Sequence, residues 1–334
     1  MKRLALATLL ILMSISASAK LSLRLPTGDG MVLQQQTEAA VWGNASPGAT
    51  VTVQPSWGSK SYKAKADGNG HWTALVSTPA ASYTKYTIRI SGEGSTITVR
   101  DVLVGEVWLA SGQSNMEMPI RGFVNCPVEG AAAVVAAPAM TDKIRFMTVP
   151  VHQTDERLDE VWGSRGWEGA ESSTVGEMSA TAFFFARQLN ATLDIPIGIV
   201  SFARGGARVE SWLPKELLES YGTEDLSHDG VYKRIEYQRP FQMYNAMEQP
   251  IKGYTARGFI WYQGCSNVGQ DSDEFISRMS DLVDLWRSDW GDTEARMPFY
   301  MVEIAPYRYK PFKTESDAAT VSYTHLTLPT SLRV

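Results

Sequence analysis

Histidine and cysteine are scarce in this chain, four and two among 334 residues, and the scarcity narrows its chemistry before any motif is read. Two cysteines without a Cys/His cluster provide no metal-ligand spacing, so neither a metal nor another cofactor is expected. Cys126 and Cys265 lie far apart in sequence, which leaves two readings open: a disulfide in an oxidising compartment, or two buried free thiols. Basic charge is also short. The 31 Lys and Arg against 36 Asp and Glu leave a net charge of −5, with no basic run. Phosphate binding needs a concentrated basic patch, so no nucleic-acid partner is expected. Beyond the first residues no apolar run is long enough to span a bilayer, and no membrane partner is expected.

The amino terminus is a different material. Lys2 and Arg3, an apolar stretch over 4–13, and Ala17-Ser18-Ala19 form a charged region, a short apolar region and a small-residue cleavage site. They predict a signal peptide, residues 1–19, cut after Ala19, and a secreted or periplasmic mature protein. Over 20–100 the pattern is short alternating runs, such as Thr50-Val51-Thr52-Val53 and Tyr86-Thr87-Ile88-Arg89-Ile90, separated by Gly-rich turns. Strands at that spacing predict a small all-β sandwich domain. His71 is unclustered and reads as a surface or packing residue.

After Asp101 strands alternate with longer helical patterns, the signature of an α/β domain with a mostly parallel sheet. An apolar run through Val107, Trp108 and Leu109 reads as the end of a buried strand, with Ser111 and Gly112 as a turn that delivers Ser114. Ser179 is a plausible cap for a helix to Leu193, and Ile195–Val200 is a strand that ends at a Gly205-Gly206 pair. A short helix is predicted over 242–249 and a strand over Arg257–Tyr262, which ends at Gln263–Asn267. Phe275, Met279, Leu282, Val283 and Trp286 mark one face of a further helix, and Pro298–Ile304 is the next strand. Each polar motif thus falls at the carboxyl end of a predicted strand, the edge along which open α/β sheets assemble their sites.

Ester hydrolysis through a serine needs a nucleophile, a base, and donors for the oxygen that becomes negative. Ser114 is the candidate nucleophile. Its backbone amide and a glycine amide from Gly205-Gly206 are candidate donors, and the side-chain amide of either Gln263 or Asn267 is a third. The strings GEVWLASGQSNMEM (105–118), FARGGARVESW (202–212) and FIWYQGCSN (259–267) together resemble three sequence blocks of the sialate O-acetylesterase family, a branch of the SGNH (GDSL-like) hydrolases. Residues 29–43 resemble the opening of the β-sandwich that precedes the catalytic domain in that family, where it would serve as scaffold or contact the substrate edge.

The resemblance implies an SGNH-hydrolase-like (flavodoxin-like) α/β fold, with a mostly parallel sheet flanked by helices over 101–319. It implies Ser114 as nucleophile and Gly206 and Gln263 in the oxyanion hole, with Asn267 the alternative donor. The implied substrate is an O-acetylated sialic acid, or another acetylated sugar as in acetylxylan esterases. Arg204 and Arg208 flank the glycine pair and are candidates for a sialic acid carboxylate, with Arg121 a further one. Trp212 and Trp261 could stack on sugars or pack in the core. A carbohydrate-binding protein with a dead hydrolase domain is the rival from another class. Ala207 and Cys265 depart from the family, which has Thr and Glu there.

The base is missing from this pattern. The family carries Asp-x-x-His near its carboxyl end, and this chain has no such pair after Ile304. Asp225-Leu226-Ser227-His228 fits in letters but lies among polar turns and reads as a surface loop, as does His152. His325 lies in 320–334, TVSYTHLTLPTSLRV, which does not continue the strand–helix alternation. Val321–His325 back-translates to GTC TCT TAT ACA CAT, which looks like a sequencing-library adapter. The expectation is therefore a non-native tail over 320–334 and an esterase domain that lacks its catalytic Asp and His.

Overall fold

A computed structural model of the chain describes residues 20–227 and 229–304. The expected signal peptide, His228, His325 and the tail over 320–334 lie outside the described residues. The alternating runs form strands: β1 (Ser22–Leu23), β2 (Val32–Gln34), β3 (Glu38–Asn44), β4 (Thr50–Pro55), β5 (Tyr62–Lys65), β6 (His71–Ser77) and β7 (Ser82–Gly92). In β6 the buried residues are Trp72, Ala74 and Val76 and those between face outward, the two-residue period of a sheet with one wet face. β3 pairs antiparallel with β1 and β6, and β4 with β5 and β7.

The next strand, β8 (Ser95–Gly112), has 18 residues and does not stop where the two-domain reading divides the chain. Its first half runs antiparallel to β7, and Leu103–Gly105 pair parallel with β2. The remaining strands are β9 (Ile144–Thr148), β10 (Trp167–Gly169), β11 (Ile197–Ala203), β12 (Gly258–Tyr262) and β13 (Phe299–Met301). The second half of β8 lies parallel between β11 and β12, with β9 beyond β11 and β13 beyond β12. β10 adds an antiparallel edge on β9. The resulting sheet has ten strands and is mixed, a correction to the mostly parallel sheet expected. The physical reason is the continuity of β8, which carries antiparallel partners at one end and parallel partners at the other.

The helices are α1 (Ser114–Glu117), α2 (Ala131–Val135), α3 (Ala180–Leu193), α4 (Lys215–Tyr221) and α5 (Ser272–Asp289). Ser179 caps α3, its Oγ accepting from Ala182 N at 3.2 Å while donating to Met116 O at 2.6 Å. α5 is capped by Asp271 and buries Phe275, Met279, Leu282, Val283 and Trp286, the face its spacing predicts. Each such side chain contributes about 1.5–3 kcal/mol by leaving water. Over 242–249 the expected helix is a π-turn, Tyr244–Glu248, followed by a 3₁₀ turn, Gln249–Ile251. Pro250 has no N–H to return to Ala246, so an α ladder cannot run through it.

One cluster of buried hydrophobics runs without interruption from Val41, Trp72 and Ile90 to Trp212, Trp261 and Trp286. A second, with Trp108, Phe146, Phe183 and Ile199, includes the buried side of α3. Cys126 is exposed and Cys265 half-buried, and both are free thiols, so neither alternative posed for them holds for the pair. Among the described residues no helix is long and apolar enough to cross a membrane.

Candidate active site

Three parallel strands end level with one another. Ala203 of β11 and Tyr262 of β12 are both register partners of Gly112 on β8. Neighbouring strands stand about 4.8 Å apart, so the loops that follow start side by side. Gly112 has φ +138°, and a Cβ there would run into the Tyr262 carbonyl, so no other residue fits. Ser111 belongs to the strand and not to a turn; it is buried, and its Oγ donates to Phe202 O at 2.6 Å. Backbone bonds stitch the loops together: Arg204 N–H to Gly112 O at 3.2 Å and Gln113 N–H to Tyr262 O at 2.9 Å. The buried Gln113 side chain completes the seam, its Oε1 accepting from Gly264 N at 3.1 Å and Ser266 N at 3.2 Å.

Ser114 is the first residue of α1 and half-buried. The first N–H of a helix has no intrahelical acceptor, and among the described residues neither the amide nor the hydroxyl of Ser114 donates to the protein. Gly205 lies against it: a Cβ built on Gly205 would sit 3.5 Å from Ser114 Cβ. The Gly205 amide donates to the Glu117 carboxylate, so it is spoken for. The Gly206 amide has no acceptor among the described residues. Gly206 takes φ +80°, and a Cβ on it would come within 2.5 Å of the Tyr237 ring.

Glu117 went unnoticed in the sequence, although it stands three residues after Ser114 and so on the same side of a helical turn. Burial raises its carboxyl pKa, while the Gly205 amide and the Arg204 charge pull in the other direction. Through it the turn that bears Ser114 also holds the loop that bears the glycine pair.

The third loop brings Gln263 and Asn267 together, but both amides are engaged inside the protein. Gln263 Nε2 donates to Ala207 O at 3.1 Å and Asn267 Oδ1 at 2.6 Å. Asn267 Nδ2 donates to Glu210 Oε2 at 3.0 Å and Gln270 Oε1 at 2.7 Å. Neither side chain has an amide hydrogen to spare here, and Gln263 Oε1 is buried without a partner among the described residues. Behind them Glu210, fully buried, meets Arg208 Nη2 at 3.1 Å and lies 3.0 Å from Arg278 Nη1, the latter close in distance but off the hydrogen-bond direction. Glu210 was not singled out from the sequence, because its partners Arg208, Asn267 and Arg278 come together only in the folded chain.

Arg208 is committed to this network, with Glu224 at 3.3 Å and the Tyr232 hydroxyl at 2.6 Å as further partners. Burial works against its charge, but Glu210, Tyr232 and Glu224 outweigh that and hold its pKa up. Arg204 differs. Its guanidinium carbon stands 5.9 Å from the Tyr237 ring, and its Nε is buried without a partner among the described residues. Arg121 pairs with Glu177 at 2.6 Å. Trp212 and Trp261 are fully buried and meet edge to face at 6.2 Å, as core residues do.

Among the described residues no histidine is paired with Ser114. His71 faces Asp159 at 3.8 Å, and His152 stacks on Trp162. Asp225 is exposed and accepts from the amide and hydroxyl of Ser227, in keeping with a surface turn.

The chain matches, over residues 104–330, the family model described as carbohydrate esterase, sialic acid-specific acetylesterase. It is 30% identical over 300 residues to the human sialate O-acetylesterase, covering 82% of this chain and 55% of that protein. The mouse sialate O-acetylesterase is 29% identical, over 90% of this chain and 64% of its own length. The chain therefore spans between about half and two thirds of these relatives. Among solved structures, a carbohydrate acetylesterase from Xanthomonas citri is similar with TM-score 0.74 and 33% identity, over 85% of this chain and 60% of that one. With the family match extending over most of the chain, and the three blocks side by side at one sheet edge, the chain belongs to the carbohydrate esterase family of sialic acid-specific acetylesterases.

Proposed function

We propose that the protein is a carbohydrate O-acetylesterase that works through an acyl-serine. Ser114 Oγ attacks the acetyl carbon, and its proton goes to a histidine supplied from outside the described residues. The tetrahedral oxyanion takes the N–H groups of Ser114 and Gly206. The sugar hydroxyl leaves with the proton, and water then releases acetate from Ser114. The observation that carries this reading is the pair of backbone amides without acceptors among the described residues, on adjacent loops that close against each other at Gly205. Gln263 in this reading supports the loop from below through Ala207 O, and becomes a donor to substrate only if it gives up that bond.

The finer assignment is a sialic acid substrate, with Arg204 as the partner of its carboxylate. A neutral acetylated sugar is the second reading. It is favoured by the engagement of Arg208 with two carboxylates and a tyrosine, which leaves a single arginine of the flanking pair for an anionic ligand.

Turnover of p-nitrophenyl acetate by the full-length gene product tests the proposal. Ser114→Ala is expected to lower kcat by at least about 10³-fold, and turnover that survives the substitution would refute it. Comparing Arg204→Gln on O-acetylated sialic acid and on acetylated xylose then separates the substrates: a loss confined to the former supports the sialate assignment.

A further inference from the structure

A donor stabilises a developing oxyanion only if it is fixed in place before the reaction, yet two consecutive glycines are the most pliant backbone a chain can have. The Gly205-Gly206 pair therefore has to be held from outside. On one side the Glu117 carboxylate does this by accepting from the Gly205 amide. On the other side the Gly206 amide has no acceptor among the described residues, and what meets the residue is an aromatic ring.

Tyr237 stands at the middle of a 3₁₀ turn, Glu236–Gln238, and is half-buried. Its Cδ2 and Cε2 both lie 2.5 Å from the point where a Gly206 Cβ would be, so the ring packs directly on the Gly206 Cα. The Arg204 guanidinium carbon is 5.9 Å from the centre of the same ring, within reach of a cation–π attraction. The ring thus meets the residues on either side of Gly205, which itself lies against Ser114. The turn that carries it is anchored. Gln153 Nε2 donates to Glu236 O at 2.7 Å, and Arg239 Nε donates to Tyr232 O at 3.2 Å. The Tyr232 hydroxyl accepts from Arg208 Nη1 at 2.6 Å, and Phe241 N–H donates to Glu210 O at 3.0 Å, which ties both flanks of the turn to the buried ion network. Among the described residues the Tyr237 hydroxyl has no hydrogen-bond partner, so it is the flat body of the ring that meets the loop.

We propose that Tyr237 is a positioning residue for the oxyanion hole: its ring braces the Gly206 Cα and so aims the unengaged Gly206 amide at the acetyl oxygen of a substrate attacked by Ser114. The inference rests on the carbohydrate acetylesterase reading and deepens it at the same site. Glu117 and Tyr237 then grip the glycine pair from two sides, one through a hydrogen bond and the other through packing.

The test compares wild type, Tyr237→Ala and Tyr237→Phe in the full-length protein on two substrates, with Ser114→Ala as control and thermal denaturation as a check on folding. On p-nitrophenyl acetate, Tyr237→Ala is expected to lower kcat by about 10–100-fold with little change in KM, and Tyr237→Phe to restore most of the loss. In p-nitrophenyl thionoacetate a sulfur, a weak acceptor, replaces the oxygen that the amides hold. A misaimed amide therefore slows the thiono substrate much less than the oxygen one, whereas a general structural defect slows both alike. Tyr237→Leu, which keeps part of the bulk, carries the same comparison should Tyr237→Ala not fold. Turnover absent from wild type, or retained by Ser114→Ala, would overturn the esterase reading and the brace with it. Turnover that depends on Ser114 but is unchanged in Tyr237→Ala, is slowed equally on both substrates, or is not restored by Tyr237→Phe would overturn the brace alone.

Discussion

At the scale of single residues, Glu117 and Gly206 carry the sharpest consequences. Removing the Glu117 carboxylate frees the Gly205 amide and lets the 204–207 loop drift from Ser114. Glu117→Ala is expected to lower kcat on p-nitrophenyl acetate by up to about 100-fold with little change in KM. The pH dependence has a definite sign. Because burial raises the Glu117 pKa, the carboxylate takes up a proton at a higher pH than an exposed one would, and its bond to Gly205 then weakens. Activity should therefore fall on the acid side from above the ordinary carboxylate range, and Glu117→Gln should remove that limb while keeping an acceptor. A pH profile of kcat for the three proteins checks this. Gly206→Ala drives a Cβ into the Tyr237 ring from a left-handed backbone, and should displace the free amide and depress kcat by about 10²–10³-fold, the range for a lost oxyanion donor.

The placement of Ser114 and the glycine pair just past strand ends was legible in the sequence because a strand end followed by Gly or Ser is a local pattern. The status of Gln263 and Asn267 was not. Gln263 is engaged by Ala207 O, 56 residues away, and Asn267 by Glu210, 57 residues away, and no local spacing encodes either contact. Arg208 was a candidate substrate ligand for the same reason: its partners Glu224 and Tyr232 are invisible until the chain folds back.

At the scale of elements, helices with a capped, one-faced pattern were plain from sequence. Ser179 ahead of α3 and the apolar stripe of α5 each rest on interactions within one turn or two. The continuity of β8 was hidden by Arg100-Asp101, which look like a loop. Asp101 takes φ +56°, a conformation Asp tolerates, and Arg145, 3.0 Å from its carboxylate, holds it within the strand. The buried ion network under the third loop is a second element whose weight can be measured. Glu210→Gln leaves Arg278, 2% exposed, and Arg208 short of a counter-charge. Its expected cost is about 3–5 kcal/mol by urea denaturation, with activity falling as Asn267 loses its anchor.

The π-turn supplies a prediction of opposite sign. Glu248 is completely buried, with one oxygen on Gln249 Nε2 at 3.1 Å and the other unpartnered among the described residues. Burial, reinforced by Asp289, raises its pKa well above the usual carboxylate value. The folded state thus binds this proton more tightly than the unfolded state. Its contribution to stability is present at low pH and is lost as pH rises from the unfolded carboxylate pKa, about 4.3, toward the folded value. Glu248→Gln should raise the thermal midpoint at pH 7 by about a few degrees and flatten its dependence on pH.

At the scale of the whole molecule, the uninterrupted hydrophobic cluster and the shared strand couple the amino-terminal strands to the parallel strands that follow. One calorimetric transition is expected for residues 20–304, with equal calorimetric and van't Hoff enthalpies; two separated transitions would show that the halves melt independently.

The same 18-residue strand also fixes what sequence changes the protein can tolerate. Along a strand each side chain points opposite to the last, so deleting one residue between 95 and 112 exchanges inward for outward at every later position. Trp108 would trade places with its neighbours, Ser111 would lose Phe202, and the glycine that admits the Tyr262 carbonyl would no longer stand opposite it. Length polymorphism should accordingly be absent from this stretch in any functional variant library, and should collect instead at turns such as 57–60, where Gly58 borders open space.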